Sequence, residues 1–208
     1  MLSILKYGEH EMKLYLFNDI NNFDYSKHLD CLPEDRRQKA LNYKQEIDRK
    51  LCVASYILLK NALKGSYGID SSINLRCSEH GKPYLTDYEN IFFNISHCKY
   101  GVVCAVSDYE IGVDIQDVRP FKENVPKKVF CIEEQELLDK ATDKNREFAR
   151  IWSKKEAYFK MLGSGLTRKM NEFNTLDKNY IQTFDYEDFC ISVSCLKDND
   201  IDIKTISI

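Results

Sequence analysis

The first chemical signal is a set of charges at short spacing: Lys155, Glu156 and Lys160, within Trp152-Ser153-Lys154-Lys155-Glu156-Ala157-Tyr158-Phe159-Lys160. At about 100° per residue, Phe148, Ile151, Trp152, Tyr158, Phe159 and Leu162 share one apolar arc of a helix. Lys155 falls near the middle of that arc and Glu156 flanks it. A buried ammonium needs an anion, and a buried carboxylate needs a cation or a metal. The helix therefore reads as one built to hold a charged ligand. Two plainer readings stand beside this one. Lys155 can snorkel to water, and Glu156 with Lys160 can form a surface i,i+4 pair worth a few tenths of a kcal/mol.

A second carboxylate lies in Ile111-Gly112-Val113-Asp114-Ile115-Gln116, where strand alternation puts Asp114 and Gln116 on one face. Magnesium favours such hard oxygens, although an acid on the solvated face of a half-buried strand has the same pattern. Phe93-Asn94-Ile95-Ser96-His97 ends a strand with a hydroxyl and an imidazole that can donate to phosphate, or simply cap a loop. Gly81-Lys82-Pro83 is a turn presenting a lysine to phosphate or to solvent. Arg36, Arg37, Lys39, Lys44, Arg49 and Lys50 form a basic run, which is either a solvated helix face or one wall of an anion site.

These residues need elements to hold them. Met12–Phe17 reads as a first strand, preceded by a dispensable extension over residues 1–11. Pro33-Glu34-Asp35 opens a long helical region that Gly65 ends, with a bend near Tyr43. Strands follow at Ile73–Cys77, Ile91–Ile95, Val102–Val106 and Ile111–Ile115. Helices are expected over Pro126–Phe130, Glu133–Lys140 and the Trp152 segment, which stops at Gly163-Ser164-Gly165. Strands at Tyr180–Tyr186, Phe189–Leu196 and Ile201–Ile206 close the chain. The repeated order predicts an α+β fold of two similar halves, residues 12–106 and 107–208, packed against each other.

The composition excludes several classes of function. A net charge of −3 gives no global attraction to nucleic acid or to an anionic membrane. No apolar run reaches the length of a membrane span, and Met1–Lys6 lacks the features of a secretory signal. The cysteines form no C-x-x-C pair and the histidines have no metal-type spacing, which argues against zinc. Reduced, mostly buried thiols in a cytoplasmic protein fit better.

Taken together and in order, these peptides resemble the 4′-phosphopantetheinyl transferases. The similarity is to the double-length, surfactin-type class rather than to the short trimeric holo-acyl-carrier-protein synthases. It rests on Gly81-Lys82-Pro83, Phe93 to His97, Ile111 to Ile115, Phe130 with Glu134, and Trp152-Ser153-x-Lys155-Glu156-Ala157-x-x-Lys160-x-x-Gly163. Pro33-Glu34 with Arg49 fits the family's first helix.

The resemblance implies a monomeric pseudo-twofold dimer of α+β halves that binds coenzyme A and magnesium in its cleft. The implied reaction moves 4′-phosphopantetheine to a serine of an apo carrier protein and releases adenosine 3′,5′-bisphosphate. Asp114, Gln116 and Glu156 would hold the metal, and Asp114, Glu156 and Lys160 would carry the catalysis. Arg49, Lys82, Pro83, Ser96, His97, Lys155 and Lys160 would bind the coenzyme, and a carrier surface is expected near Val125–Leu138.

The chain departs from the family in two places. Gln116 stands where a second acid is common, so the resemblance implies weaker magnesium binding. Asp35 and Gln38 stand where relatives commonly offer lysines, so either Arg36, Arg37 or Lys39 substitutes or coenzyme A is bound more loosely. A non-catalytic paralogue that binds coenzyme A or a carrier protein is the alternative reading. A nucleic-acid module on the basic helix is disfavoured by charge and by the absence of an aromatic–basic motif.

Overall fold

The computed structural model describes residues 12–165, 170–186, 188–197 and 201–208, so the extension expected over residues 1–11 lies outside the described residues. Strand β1 (Met12–Phe17) is buried along its length apart from Lys13, as a central strand with both faces covered must be. It is followed by a 3-10 segment, Tyr25–Cys31, and by helices α1 (Glu34–Asn42) and α2 (Glu46–Tyr67). The expected bend is a complete break at Tyr43, whose backbone is extended.

Gly65 does not end α2. The helix continues to Tyr67 and is capped by Gly68 in the left-handed conformation, with its N–H on the carbonyls of Leu63 and Lys64. Gly65 instead admits a close neighbour, since a Cβ there would lie 2.9 Å from the Tyr15 hydroxyl.

Strands β2 (Leu75–Cys77) and β3 (Pro83–Leu85) form a small antiparallel ribbon. Strand β3 has only a Pro-Tyr-Leu stretch to announce it, with no periodicity to read. Strands β4 (Phe92–His97) and β5 (Val102–Ser107) then pair antiparallel, and β5 continues antiparallel to β1.

Beyond the turn at Asp108–Glu110 come β6 (Ile111–Asp117), α3 (Pro126–Val129), α4 (Ile132–Lys140) and α5 (Lys144–Leu162). Strands β7 (Ile181–Tyr186) and β8 (Phe189–Cys195) complete an antiparallel sheet in the order β6-β8-β7. The last strand, β9 (Ile201–Thr205), departs from the expected division into halves. It pairs parallel with β1, giving the first sheet the order β4-β5-β1-β9.

The layers follow from side-chain alternation. Tyr15, Phe17, Val102, Cys104 and Val106 point to α2 and share a core with Leu51, Ala54, Leu58 and Leu63. Leu14, Leu16, Val103 and Ala105 point the other way, onto Ile111, Val113, Ile115, Ile191 and Val193. The molecule is thus α2, first sheet, second sheet and α5. Asp114 lies on the strand face opposite Val113 and Ile115, on the side where α5 packs.

The thiols are more accessible than expected. All eight cysteines are free; Cys104, Cys190 and Cys195 are buried, while Cys31 and Cys77 are exposed.

Candidate active site

Helix α5 reaches Asp114 because β6 carries a glycine beneath it. A Cβ at Gly112 would lie 2.0 Å from the Ala157 carbonyl oxygen and 2.3 Å from the Met161 nitrogen, a distance no side chain tolerates. Backbone therefore rests on backbone, and Glu156 and Lys160 are carried to the edge of β6. Strand β4 closes the other side through two bonds. The Val113 N–H donates to Asn94 Oδ1 at 3.0 Å, and the Ser96 hydroxyl donates to Asp114 Oδ1 at 2.8 Å.

Asp114 is almost wholly buried, with 2% of its surface exposed. Its Oδ1 also accepts from Lys160 Nζ at 2.5 Å, and its Oδ2 accepts from Gln116 Nε2 at 2.6 Å. Lys160 donates to the Ser96 hydroxyl oxygen as well, at 2.8 Å. The carboxylate of Glu156 stands close by, and its pKa is raised above the usual carboxylate range. Burial is the largest cause and the Asp114 charge the next, with Lys160 opposing both. No group of three or more acidic, histidine or cysteine side chains suited to a metal occurs among the described residues.

Two adjoining cavities lie beside this cluster. One, about 240 Å³, is lined by Arg36, Lys39, Tyr43, Cys52, Ser55 and His97 among others, and it runs between the two helices of the N-terminal half and β4. The Ser55 hydroxyl facing it is buried with no hydrogen-bond partner among the described residues. The His97 pKa is lowered, first by desolvation and then by Lys160. The second cavity, also about 240 Å³, is lined by Lys82, Asn94, Glu156, Phe159, Lys160 and Gly163. Pro83 and Ile95 belong to both. Two cations, Arg36 and Lys39, thus line one cavity together with a single carboxylate, Asp48, and a carboxylate–lysine centre lines the other, an arrangement suited to a phosphorylated ligand.

The structure brings together Asp114, Gln116, Glu156, Lys160 and Ser96, with His97, Pro83 and Lys82 around them. It does not bring Lys155 or Arg49. The Lys155 ammonium is fully buried, pairs with Glu134 Oε2 at 2.8 Å, and donates to the carbonyls of Met170 at 2.7 Å and Phe173 at 2.5 Å. Its charge is answered inside the protein, by Glu134, and no donor remains for a phosphate. The Arg49 guanidinium braces the break between α1 and α2, donating Nε–H to the Tyr43 carbonyl at 2.8 Å. Arg36 and Lys39 supply the cations expected of that region, whereas Arg37 is tied to Glu34 and Asp30.

The apolar arc also needs correction. Ile151 and Phe159 are buried as expected, but Leu162 is exposed, and α5 also buries Ala149, Ser153, Ala157, Met161 and Lys155. Sequence reasoning passed over Ser55, Tyr56 and Asn94, which carry no charge to mark them. It named Glu134 with Phe130 as part of the family resemblance but gave it no role.

Models of known families match almost the whole described chain. A model described as the 4′-phosphopantetheinyl transferase superfamily matches residues 110–202. A second, described as the N-terminal part of 4′-phosphopantetheinyl transferase, matches residues 21–108. Among curated relatives, the 4′-phosphopantetheinyl transferase Sfp of Bacillus subtilis is 27% identical over 164 residues, covering 77% of this chain and 73% of its own. The 4′-phosphopantetheinyl transferase gsp of Aneurinibacillus migulanus is 28% identical over 173 residues, covering 82% and 72%. The 4′-phosphopantetheinyl transferase HetI of a Nostoc species is 30% identical over 146 residues, covering 66% and 62%. The chain belongs to the 4′-phosphopantetheinyl transferase superfamily.

Proposed function

We propose that the protein transfers the 4′-phosphopantetheine group of coenzyme A to a serine of an apo carrier protein. The carrying observation is the cluster of Asp114, Ser96, Lys160 and Glu156, of which Glu156 and Lys160 line a cavity that adjoins the one lined by Arg36, Lys39 and His97. On this reading Arg36, Lys39 and His97 hold the nucleotide and its phosphates. Lys160 and Lys82 face the pyrophosphate. The carrier's serine oxygen forms a bond to the phosphorus nearer the pantetheine, and the bond from that phosphorus to the bridging oxygen breaks. The electron pair leaves with adenosine 3′,5′-bisphosphate. The serine proton passes to Glu156, or to a water it orients, and burial strengthens that carboxylate as a proton acceptor.

The residues fit a magnesium ion. Glu156 and Asp114 offer hard oxygens, Gln116 offers an amide oxygen when its side chain rotates, and substrate phosphate and water would supply the rest. Burial first, and then the neighbouring Asp114 charge, raise the Glu156 pKa, and a bound divalent cation would offset both. Magnesium, when bound, neutralises charge developing on the pyrophosphate. With Gln116 in place of an acid, the site has one carboxylate fewer. The two-half architecture, with residues 12–106 and 107–208 supplying opposite walls, supports a monomer. No helix among the described residues is long and apolar enough to cross a membrane. Eight free cysteines support a reducing, cytoplasmic setting.

Intact-mass measurement of apo carrier domains incubated with the protein, coenzyme A and magnesium tests this. The expected result is a phosphopantetheine adduct that is lost without magnesium and with Glu156→Ala. Coenzyme A binding with no adduct on any carrier would refute transfer and leave a non-catalytic binder.

A further inference from the structure

Lys82 stands between the second cavity and a third of about 490 Å³, lined by Ser78, Tyr84, Tyr88, Phe92 and Glu110 among others. Its position is fixed at three points. Its stem lies against the helix-ending Gly163, where a Cβ would come within 3.1 Å of Lys82 Cδ. Its ammonium donates to the Met161 carbonyl at 2.8 Å, at the negative end of α5. The same ammonium pairs with Glu110 Oε2 at 2.5 Å.

The second cavity therefore holds two ammonium groups, each already answered by a carboxylate of this chain: Lys160 by Asp114 and Lys82 by Glu110. Asp114 belongs to the reaction centre. Glu110 lies in the turn between β5 and β6, lines the far side of Lys82, and keeps 58% of its side-chain surface in solvent, against 16% for Lys82.

We infer that Glu110 is an internal counter-ion that competes with the coenzyme's phosphates for Lys82 and so limits how tightly the coenzyme is held. This rests on the coenzyme A reading above. Glu110 already takes one of the three donors of Lys82 and cancels its charge, so a phosphate meets a neutralised pair rather than a free cation. Being mostly solvated, the carboxylate can swing into water when phosphate arrives. The contact is therefore an exchangeable mask on Lys82, and removing the mask should favour the ligand.

Isothermal titration of coenzyme A into wild type, Glu110→Gln, Lys82→Met and the double variant, at low and high salt, tests the inference. The Glu110→Gln variant is expected to bind coenzyme A about two- to fivefold more tightly at low salt, the scale of a partly exposed ion pair, with the gain shrinking as salt rises. The gain should vanish in the Lys82→Met background. Unchanged or weaker binding by Glu110→Gln, or an equal gain without Lys82, overturns the inference while leaving the enzymatic reading intact. Failure of wild type to bind coenzyme A overturns that reading, and the inference with it.

Discussion

Replacing Lys155 with Met removes a cation of similar length from a site sealed against water. Both Lys155 and Glu134 are fully buried. Glu134 uses both oxygens: Oε1 accepts from the Thr175 N–H at 2.9 Å and its hydroxyl at 2.8 Å, and Oε2 accepts from the Cys131 N–H at 2.9 Å and forms an ion pair with Lys155 at 2.8 Å. Lys155→Met leaves three of these donors but strands the negative charge. It also leaves the Met170 and Phe173 carbonyls without their ammonium donor. Breaking a buried pair from one side costs about 3–5 kcal/mol. At about 2–4 °C per kcal/mol for a chain of this size, the melting temperature should fall by roughly 6–20 °C. Urea unfolding followed by the fluorescence of Trp152, the single tryptophan, measures the loss. The deficit should shrink as pH falls, because protonation discharges the stranded carboxylate. Coupling Lys155→Met with Glu134→Gln should recover part of the loss, since no uncompensated charge remains. A Lys155→Met protein within about 1 kcal/mol of wild type would refute the assignment of this lysine to the fold. A lysine serving phosphate would give that result together with a large loss of coenzyme affinity.

Gly112→Ala should force α5 off β6, costing about 1–3 kcal/mol in chemical denaturation as an overpacked contact does. Transfer activity should fall on the order of 100-fold, because Glu156 and Lys160 shift against Asp114; an active, stable Gly112→Ala protein would contradict the backbone contact. Glu156→Gln should abolish transfer yet stabilise the ligand-free protein. The raised Glu156 pKa means wild-type stability falls as pH climbs from the ordinary carboxylate range through the folded value. Melting curves of the two proteins should therefore converge in acid and separate, with the variant higher, near neutrality. A variant less stable than wild type near neutrality would refute this.

The candidate centre was legible because its residues are polar or charged and locally patterned. Asp114 and Gln116 alternate on one strand, Glu156 and Lys160 sit one turn apart, and each peptide matched a family motif in order. The two charged side chains that the structure places outside the cluster, Lys155 and Arg49, share a common reason. Burial cost shows that a charge must be paired, but not with what. The partner of Lys155 lies 21 positions earlier on α4, and Arg49 donates to the Tyr43 carbonyl and the Tyr25 hydroxyl, neither of which has a sequence signature. Gly65 looked like a stop because a glycine in a helix carries the same letter whether it ends the helix or admits a tyrosine. Strand β9 was foreseen as a strand, yet which sheet it joins is decided by an open edge of β1, which no local pattern records.

That edge has a consequence for how the chain reaches its native state. Met12 pairs with Ile201, and Leu14 with Ile203. The sheet that begins first in synthesis is therefore among the last to be completed. Until residues 201–205 leave the ribosome, β1 presents an unpaired, largely apolar edge beside a half-formed core. Such distant pairing slows folding, and a waiting edge invites association with other chains.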